Sequence, residues 1–523
     1  MYPGTLAKTQ PDRLAAIRPS TGETLTYREL DERSNRLAQL LHAAGLRPGG
    51  HVALCLENSI EYLEVMWACM RSGLYLTPIN WHLSAPEAAY IVKDCGATVL
   101  IASANVETSR DLGALSPQCT VKLSVSGIVE GFEDYAAALA RHPAEPLADE
   151  RVGSYMFYSS GTTGRPKGVL RPLADQHPAD GNMGQNRRIE QFGITSETRF
   201  LLTAPLYHAA PLGYAGTVTQ AGATLVIMDR FDAETALSLI EAHRITHSQW
   251  VPTMFVRLLK LPHEVRDRYD LSSHRVAIHA AAPCPVEVKR AMIQWWGPIL
   301  LEYYSSTEGA GMAMIGSEEW LSHPGSVGKA QGKPYHVCDE AGKELPPGEI
   351  GLIYGETVPG LQFEYHNDPG KTHEAGHPTR PDWIAVGDIG YLDDEGYLYL
   401  TDRKAFMIVS GGVNIYPQQI EDALVLHPKV ADVAVIGVPN ADLGEETKAV
   451  IQPASGVTGS DELARELIEF VAQKLGKQLA PRSVDFVDEL PRMPTGKLAK
   501  RVLREKYWGG QTGTASLAST MKV

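Results

Sequence analysis

Apolar residues recur at two spacings along this chain, and the spacings predict alternating helices and strands. Thr26 and Glu29 form a T-x-x-E capping box, after which apolar residues follow at helical spacing until Gly45. Short apolar runs, typical of strands, alternate with such helical stretches. Examples are the strand-like HVALCLEN (51–58) and ATVLIAS (97–103), with the helical EYLEVMWACMRSG (61–73) between them. The alternation predicts an α/β unit with mostly parallel sheets over residues 1 to about 400.

The pattern changes twice towards the carboxyl terminus. Between residues 325 and 400, short apolar runs are separated by PPG, DPG and DDEG turns, which indicates an antiparallel or barrel-like piece closing the large unit. After Asp402, a helical run, a strand-like run and the amphipathic ELARELIEFVAQKL indicate a compact α+β module. We therefore predict two domains, residues 1–402 and residues 403–523.

Composition narrows the class of protein. A chain of 523 residues exceeds the size of one hydrophobic core, and its net charge of -14 argues against nucleic acid as the principal partner. Six cysteines without a C-x-x-C pair predict free thiols and a cytoplasmic location. The chain shows neither a signal-peptide pattern nor 18 unbroken apolar residues, so we expect no transmembrane segment, while peripheral membrane contact and a homodimer stay open.

The stretch SSGTTGRPKG (159–168) is the clearest candidate for a binding loop. Its glycines let backbone N–H groups approach a ligand closely, and its hydroxyl groups add donors suited to phosphate oxygens. A Walker A loop is excluded, because Lys167 is followed by Gly168 and preceded by Pro166, which disfavours a helix extending through it. The alternative is a plain Gly/Ser-rich surface turn.

This loop, as YSSGTTGRPKGV, resembles the phosphate loop of the adenylate-forming superfamily, which includes acyl-CoA synthetases, firefly-type luciferases and peptide-synthetase adenylation domains. Six further segments match that superfamily in its usual order. They are PLYHAAP (205–211), HAAAPCP (279–285), YYSSTEG (303–309), VGDIGYLDDEGYLYLTDRK (386–404), SGGVNIYPQQIE (410–421) and PRMPTGKLAKR (491–501). The resemblance is greatest to fatty-acid-type acyl-CoA ligases. It implies a large adenylation domain over 1–402 and a small mobile domain over 403–523 that carries a catalytic lysine.

The resemblance also implies roles for individual residues. Lys497 would bridge the substrate carboxylate and the α-phosphate, while Glu308 and Thr163 would hold Mg²⁺ and the phosphates. The other ATP-binding positions would be Ser159, Ser160, Gly161, Thr162, Gly164, Lys167, Ala281, Ala282, Pro283, Tyr304, Ser306, Thr307, Asp388 and Arg403. Tyr304 would stack on adenine, and Asp388 with Arg403 would bind the ribose. Each side chain also has a structural alternative: a surface lysine, a core tyrosine, or a salt bridge in a turn.

The acyl pocket and the second half-reaction are assigned in the same way. The pocket would be lined by Tyr207, His208, Trp250, Ala280, Ser305 and Gly309, the CoA path by Ser410, Gly411 and Gly412, and the hinge would be Ala405. His208 could equally be structural. Three positions depart from the family pattern: Ser305 replaces a glycine, Val386 replaces a threonine, and Ala405 replaces the more common Asp or Lys.

The implied reaction joins a small-molecule carboxylic acid to CoA at the expense of ATP. Acid and ATP form acyl-AMP and pyrophosphate, and CoA then displaces AMP. Because the carboxylate and the phosphates repel each other, the site needs Mg²⁺ and a lysine. The small and apolar pocket residues predict a neutral fatty, alicyclic or aryl acid. Alternatives are luciferase-like chemistry, loading of a carrier protein, or a non-catalytic nucleotide-binding protein.

Overall fold

A computed structural model describes residues 2–159, 166–181, 183–357, 362–492 and 498–508. The first part of the chain contains α1 (Pro3–Thr9), β1 (Leu14–Arg18), β2 (Glu23–Thr26), α2 (Tyr27–Ala43), β3 (His51–Cys55), α3 (Glu61–Arg71), β4 (Tyr75–Pro78), α4 (Ala85–Asp94), β5 (Val99–Ser103), α5 (Ser109–Leu115), β6 (Val121–Val125), β7 (Glu133–Asp134), α6 (Tyr135–Ala140), β8 (Ser154–Tyr155), β9 (Phe157–Ser159) and β10 (Lys167–Leu170).

The middle of the chain continues the alternation of helices and strands. It contains α7 (Met183–Gln191), β11 (Arg199–Leu202), α8 (Ala209–Gln220), β12 (Thr224–Ile227), α9 (Ala233–Ala242), β13 (His247–Trp250), α10 (Pro252–Leu259), α11 (His263–Arg266), β14 (Val276–His279), α12 (Val286–Trp296), β15 (Leu300–Ser305), β16 (Met312–Gly316), α13 (Ser317–Ser322) and β17 (Ser326–Ala330).

The last part is richer in strands. It contains β18 (Tyr335–Cys338), β19 (Gly351–Glu356), β20 (Glu364–Tyr365), α14 (Pro369–Ala375), β21 (Trp383–Leu392), β22 (Leu398–Arg403), β23 (Ile408–Ser410), β24 (Val413–Ile415), α15 (Pro417–Leu424), β25 (Val430–Asn440), β26 (Gly444–Pro453), α16 (Asp461–Leu475), β27 (Ser483–Phe486) and α17 (Lys500–Tyr507).

Two large sheets organise the amino-terminal part of the chain. One has 13 strands in the order β18-β19-β21-β22-β17-β16-β15-β14-β13-β11-β12-β1-β2, and the other has six in the order β7-β6-β5-β3-β4-β8. All neighbouring strands of the six-stranded sheet are parallel, as are those from β15 through β14, β13, β11 and β12 to β1. The predicted α/β class with parallel sheets is confirmed.

Helices α2, α3 and α8 fill the space between these sheets. The capping box that begins α2 is present: the backbone N–H of Thr26 donates to Glu29 Oε2 at 2.8 Å, and the backbone N–H of Glu29 donates to Thr26 Oγ1 at 3.2 Å. Leu30, Leu37 and Leu41 of α2 are wholly buried in the core that both sheets share. The helical spacing read from the sequence therefore marks the face that packs inward.

The piece over residues 325–400 is antiparallel, in line with its turn-rich pattern. Strands β17, β22, β21, β19 and β18 follow one another in an open antiparallel order that continues the large sheet beyond β16.

The carboxyl-terminal module has its own sheet and core. Its sheet runs β24-β23-β26-β25, with β27 added in parallel beside β26. Leu463, Leu467 and Val471 of α16 are buried in that core, as their spacing predicts. The large sheet ends at Arg403 and this sheet begins at Ile408, while the boundary at residues 402 and 403 itself stays a prediction. Among the described residues, no helix is both long and apolar enough to cross a membrane.

A buried ion pair joins α12 to the large sheet next to the predicted adenine segment. Lys289 Nζ lies 2.5 Å from Glu302 Oε2 and 4.8 Å from the centre of the Trp320 ring, and both charged side chains are almost wholly buried. Burial raises the pKa of Glu302, and the lysine opposes that shift. Burial also lowers the pKa of His279, 3.7 Å away, which leaves the lysine as the charge that balances Glu302.

We expect Lys289→Met to lower the free energy of unfolding by about 3–5 kcal/mol, because Glu302 would be left as a buried charge without a cation. Urea denaturation followed by circular dichroism measures this loss. The double variant Lys289→Met/Glu302→Leu should recover most of it, since neither charge then remains. A loss below about 1 kcal/mol in the single variant would contradict a balanced buried pair.

Candidate active site

The predicted site segments meet at one edge of the large sheet. Strands β11, β13, β14 and β15 are parallel, so their carboxyl ends share that edge. Residues 205–208 follow β11 after two intervening residues, residues 280–283 follow β14 directly, and residues 305–309 begin with the last residue of β15. Crevices at the carboxyl ends of parallel strands are where open α/β sheets bind ligands.

The glycine loop joins two antiparallel strands rather than a strand and a helix. Ser159 of β9 is paired with Lys167 of β10, and β10 also pairs with β20. This agrees with the exclusion of a Walker A loop, in which the lysine enters a helix. The predicted ATP-binding residues Ser160, Gly161, Thr162, Thr163 and Gly164 lie outside the described residues, as does Lys497.

Glu308 is a buried carboxylate held by a tyrosine. The Tyr365 hydroxyl donates to Glu308 Oε1 at 2.8 Å, and Glu308 is 8% exposed. Lys167 Nζ lies 5.2 Å from the centre of the Tyr365 ring. Burial and Lys371 lower the pKa of Lys167, while nearby carboxylates including Glu308 oppose the shift. The loop lysine and the expected metal ligand therefore face the same space.

Arg171 is a second cation at this place that the sequence reasoning did not single out. Its Nη2 donates to the carbonyl oxygen of Thr307 at 2.7 Å. Gly309 has φ +81°, and a Cβ there would lie 2.8 Å from the same nitrogen, so the position excludes a side chain on two counts. Arg171 follows Lys167 by four residues on an extended segment. In an extended segment, residues at even spacing lie on the same face, so the position of Arg171 relative to Lys167 is the sequence signal that could have identified Arg171.

Tyr304, Asp388 and Arg403 form one hydrogen-bonded group. The Tyr304 hydroxyl donates to Asp388 Oδ2 at 2.7 Å, and Arg403 Nε lies 3.2 Å from Asp388 Oδ1. Asp388 and Arg403 face each other across β21 and β22. Burial, followed by Asp388, raises the pKa of Tyr304. The hydroxyl contact was not anticipated, since Tyr304 was expected to act through its ring.

The expected adenine segment, Ala281 to Pro283, carries a backbone irregularity. Ala281 has φ +79°, a left-handed conformation that costs an alanine about 1 kcal/mol or more. Ala281 and Ala282 are both exposed at the end of β14. Strain of this kind persists where the surrounding structure imposes it, and it is frequent at ligand sites.

Two of the expected pocket residues, Tyr207 and His208, pack edge to face near the start of α8. Their ring centres are 4.3 Å apart, and His208 is the residue that precedes the helix. Burial raises the pKa of Tyr207. Ser305 is exposed, and its Oγ donates to the carbonyl oxygen of Gly311 at 3.0 Å. Ala280 is buried after β14.

Trp250 does not belong to this group. Its side chain is wholly buried, its Nε1 donates to Ser248 Oγ at 2.6 Å, and its ring packs near Phe255 and Trp296. Ser248 and Trp250 lie two residues apart on β13 and therefore share the face that packs on α10 and α12. Trp250 is thus a core residue of this structure, and its expected place at the acyl pocket stays a prediction.

The expected CoA segment is a tight hairpin. Ser410 pairs with Val413, and the loop residues Gly411 and Gly412 have φ of +57° and +82°, as a two-residue turn of type I′ requires. Both glycines are exposed. The expected hinge residue Ala405 is also exposed, and its carbonyl oxygen accepts a hydrogen bond from Arg504 Nη1 at 3.2 Å.

Comparison with known proteins agrees with this geometry. The model of the family "AMP-binding enzyme" matches residues 5–357, and that of the "AMP-binding enzyme C-terminal domain" matches residues 419–497. The chain belongs to the AMP-binding enzyme family. Of the residues placed above, Glu308, Tyr304 and Ala281 lie within the first match and Gly411 lies before the second.

Relatives span this AMP-binding enzyme nearly end to end. It is 32% identical to the fatty acid–[acyl-carrier-protein] ligase ScoC of Streptomyces coeruleorubidus over 93% of this chain and 92% of ScoC. It is likewise 32% identical to the long-chain-fatty-acid–CoA ligase FadD13 of Mycobacterium tuberculosis, over 96% of this chain and 97% of FadD13. Among solved structures, ATP-bound MatB from Rhodopseudomonas palustris superimposes with a TM-score of 0.80 at 28% identity, covering 97% of this chain and 99% of MatB.

We expect Tyr304→Phe to raise the KM for ATP about 5- to 20-fold, because the variant keeps the ring but removes a hydrogen bond that orients Asp388. The measurement is ATP–pyrophosphate exchange at varied ATP. Tyr335→Phe is the matched control: the Tyr335 ring lies 5.7 Å from that of Tyr304, and its buried hydroxyl has no hydrogen-bond partner among the described residues. An unchanged KM in Tyr304→Phe would assign the role to the ring alone.

Proposed function

We propose that this AMP-binding enzyme is an ATP-dependent acid–CoA ligase, an AMP-forming acyl-CoA synthetase. The observation that carries the proposal is the convergence of Lys167 and Arg171 on the buried carboxylate Glu308. The Tyr304–Asp388–Arg403 group is close to Glu308 along the chain, since Tyr304 lies in β15 four residues before Glu308. The cations would offset the negative charge of a triphosphate and a carboxylate. The Tyr304–Asp388–Arg403 group offers hydrogen-bonding partners for the ribose of the same nucleotide.

The first step brings two anions together. A carboxylate oxygen of the acid attacks the α-phosphorus of ATP, the bond from that phosphorus to the bridging oxygen breaks, and pyrophosphate leaves. Fixed cations stabilise the charge that develops, and Lys167 and Arg171 are placed to do so. Lys497 is assigned to the same step by the resemblance of PTGK to the family's lysine motif.

The second step transfers the acyl group. The CoA sulfur attacks the acyl carbonyl carbon, the bond to the phosphate oxygen breaks, and AMP leaves. We assign the approach of CoA to Ser410, Gly411 and Gly412 and the change of domain orientation to Ala405. The solvent-exposed glycine hairpin supports the first assignment, and the exposed position of Ala405 between β22 and β23 supports the second.

Mg²⁺ fits the donor set. Glu308 supplies one hard carboxylate, and Mg²⁺ in ATP sites is held by one or two carboxylates together with phosphate oxygens. When bound, the ion would neutralise phosphate charge. Tyr365 orients Glu308 for this role through the 2.8 Å hydrogen bond from its hydroxyl.

The acid is proposed to be a fatty, alicyclic or aryl acid, and CoA the acceptor. The name of FadD13 gives CoA as the acceptor, and the name of ScoC gives a carrier protein. The acceptor is therefore tested directly by supplying this enzyme with CoA or with a carrier protein, together with the same acid. The cytoplasm is the proposed location, supported by six cysteines without disulfides. A homodimer and peripheral membrane contact stay predictions.

The direct test is acid-dependent ATP–pyrophosphate exchange, followed by CoA-dependent release of AMP. A panel of acids from acetate to long-chain and aryl acids identifies the substrate class. Exchange without acid dependence, or no exchange with any acid, would contradict the proposal.

We expect Lys497→Ala to reduce acyl-adenylate formation about 10²- to 10⁴-fold and to leave thioester formation from supplied acyl-AMP nearly unchanged, because the charge is needed when two anions meet. Both half-reactions are measured on one preparation. Lys477→Ala, an exposed lysine of the same carboxyl-terminal part, is the control. Equal damage to both half-reactions would refute the assignment.

We expect Glu308→Gln to raise the Mg²⁺ concentration needed for half-maximal adenylation, because a neutral amide is a weaker ligand than a carboxylate. The measurement is a Mg²⁺ titration of pyrophosphate exchange at fixed ATP. Glu318→Gln, at an exposed position of α13, should leave the titration as it is. An identical titration for Glu308→Gln would exclude Glu308 as a metal ligand.

A further inference from the structure

Arg188 is a residue of α7 whose guanidinium packs against α8, the helix that follows the expected pocket residues Tyr207 and His208. A methyl group at Gly213 of α8 would lie 3.0 Å from Arg188 Nη1, so the guanidinium packs directly on that glycine. One turn further along α8, a methyl group at Gly216 would meet Gln185 and the hydroxyl of Tyr155. The two glycines form a shallow groove on α8 that accommodates polar side chains.

No carboxylate of the described residues pairs with Arg188, although its side chain is half-buried. The contrast is Arg71, the wholly buried arginine of α3, which pairs with Asp31 at 2.6 Å and Glu150 at 2.9 Å. A cation that is partly withdrawn from water and has no ion-pair partner favours an anionic partner outside the protein. A second guanidinium, that of Arg171, is near enough to contribute to the same positive field.

Two tyrosines and a second arginine connect Arg188 with the segment that carries expected pocket residues. Its charge acts on the hydroxyls of Tyr303 and Tyr214, opposing the rise in their pKa that burial causes. Tyr303 lies on β15, two residues before Ser305 and on the same face of the strand. Arg171 touches Gly309, the other expected pocket residue on that segment. Arg188 therefore packs on α8 and lies near the segment 303–309, which carries two of the expected pocket residues.

We propose that Arg188 binds a second carboxylate carried by the acid substrate, so that the enzyme activates one end of a dicarboxylic acid while Arg188 holds the other. The proposal rests on the proposed function and narrows it. The Tyr155 hydroxyl, buried and without a hydrogen-bond partner among the described residues, is a neutral donor on the same groove of α8. The sequence predicted a neutral acid because the six expected pocket residues are uncharged. Neither Arg171 nor Arg188 was among those six residues.

The test compares each dicarboxylic acid of four to ten carbons with its own monomethyl ester, which has the same chain but lacks the second charge. For the preferred length, wild-type kcat/KM in pyrophosphate exchange should be about 10- to 100-fold higher for the diacid, as a charge-assisted hydrogen bond predicts. Arg188→Met should abolish this preference by lowering activity on the diacid alone, and Arg188→Lys should retain part of it.

Two further variants separate binding from folding. Gly213→Ala keeps the charge but displaces the guanidinium, so it should raise the KM for the diacid several-fold and leave the ester unaffected. Arg187→Met, at the exposed neighbouring position of α7, should change neither substrate. If Arg188→Met does not fold, Gly213→Ala and Arg188→Lys decide the question.

Equal or better use of the ester by the wild type at every length would overturn the inference, as would an equal loss on both substrates in Arg188→Met. In those cases, exchange with monoacids would leave the proposed function intact. If no acid of either kind supports exchange, the proposed function fails and the inference fails with it.

Discussion

The mutual repulsion of two anions is the constraint on which this site depends. A carboxylate can meet a triphosphate only where fixed positive charge offsets the repulsion, yet the chain as a whole has a net charge of -14. Positive charge is therefore local: Lys167 and Arg171 converge on one buried carboxylate, Glu308. Holding such charges out of water without losing stability requires a rigid frame, which the large sheet and its helices supply.

That frame explains why the site lies where it does. Parallel strands β11, β13, β14 and β15 end at one edge, and the segments that follow them are free of sheet hydrogen bonding and can turn towards a ligand. The antiparallel strands β21 and β22 extend the same sheet and bring Asp388 and Arg403 to Tyr304. One continuous sheet thus places residues nearly a hundred positions apart in a single hydrogen-bonded group.

Several roles depended on which face of a strand a residue occupies. Trp250 stands next to the carboxyl edge in sequence, but its position on β13 directs it into the core with Phe255 and Trp296. Tyr304 was expected to offer its ring, and the structure shows that its hydroxyl also orients Asp388. Arg171 and Arg188 escaped notice because neither belongs to a recognisable motif, and their positions beside Gly309 and Gly213 become visible only in three dimensions.

The amino-acid sequence by itself determined the α/β class, the helices and strands with clear periodicity, the family and the order of its motifs. It could do so because periodicity and motifs are local properties, set by backbone geometry and by residues close in the chain. Only the tertiary structure decided that Trp250 is core, that Tyr304 and Arg403 share Asp388, and that the guanidiniums of Arg171 and Arg188 pack against Gly309 and Gly213. These facts depend on strand register and helix packing between distant segments, and on which charges burial leaves without a partner, none of which is encoded at a single position.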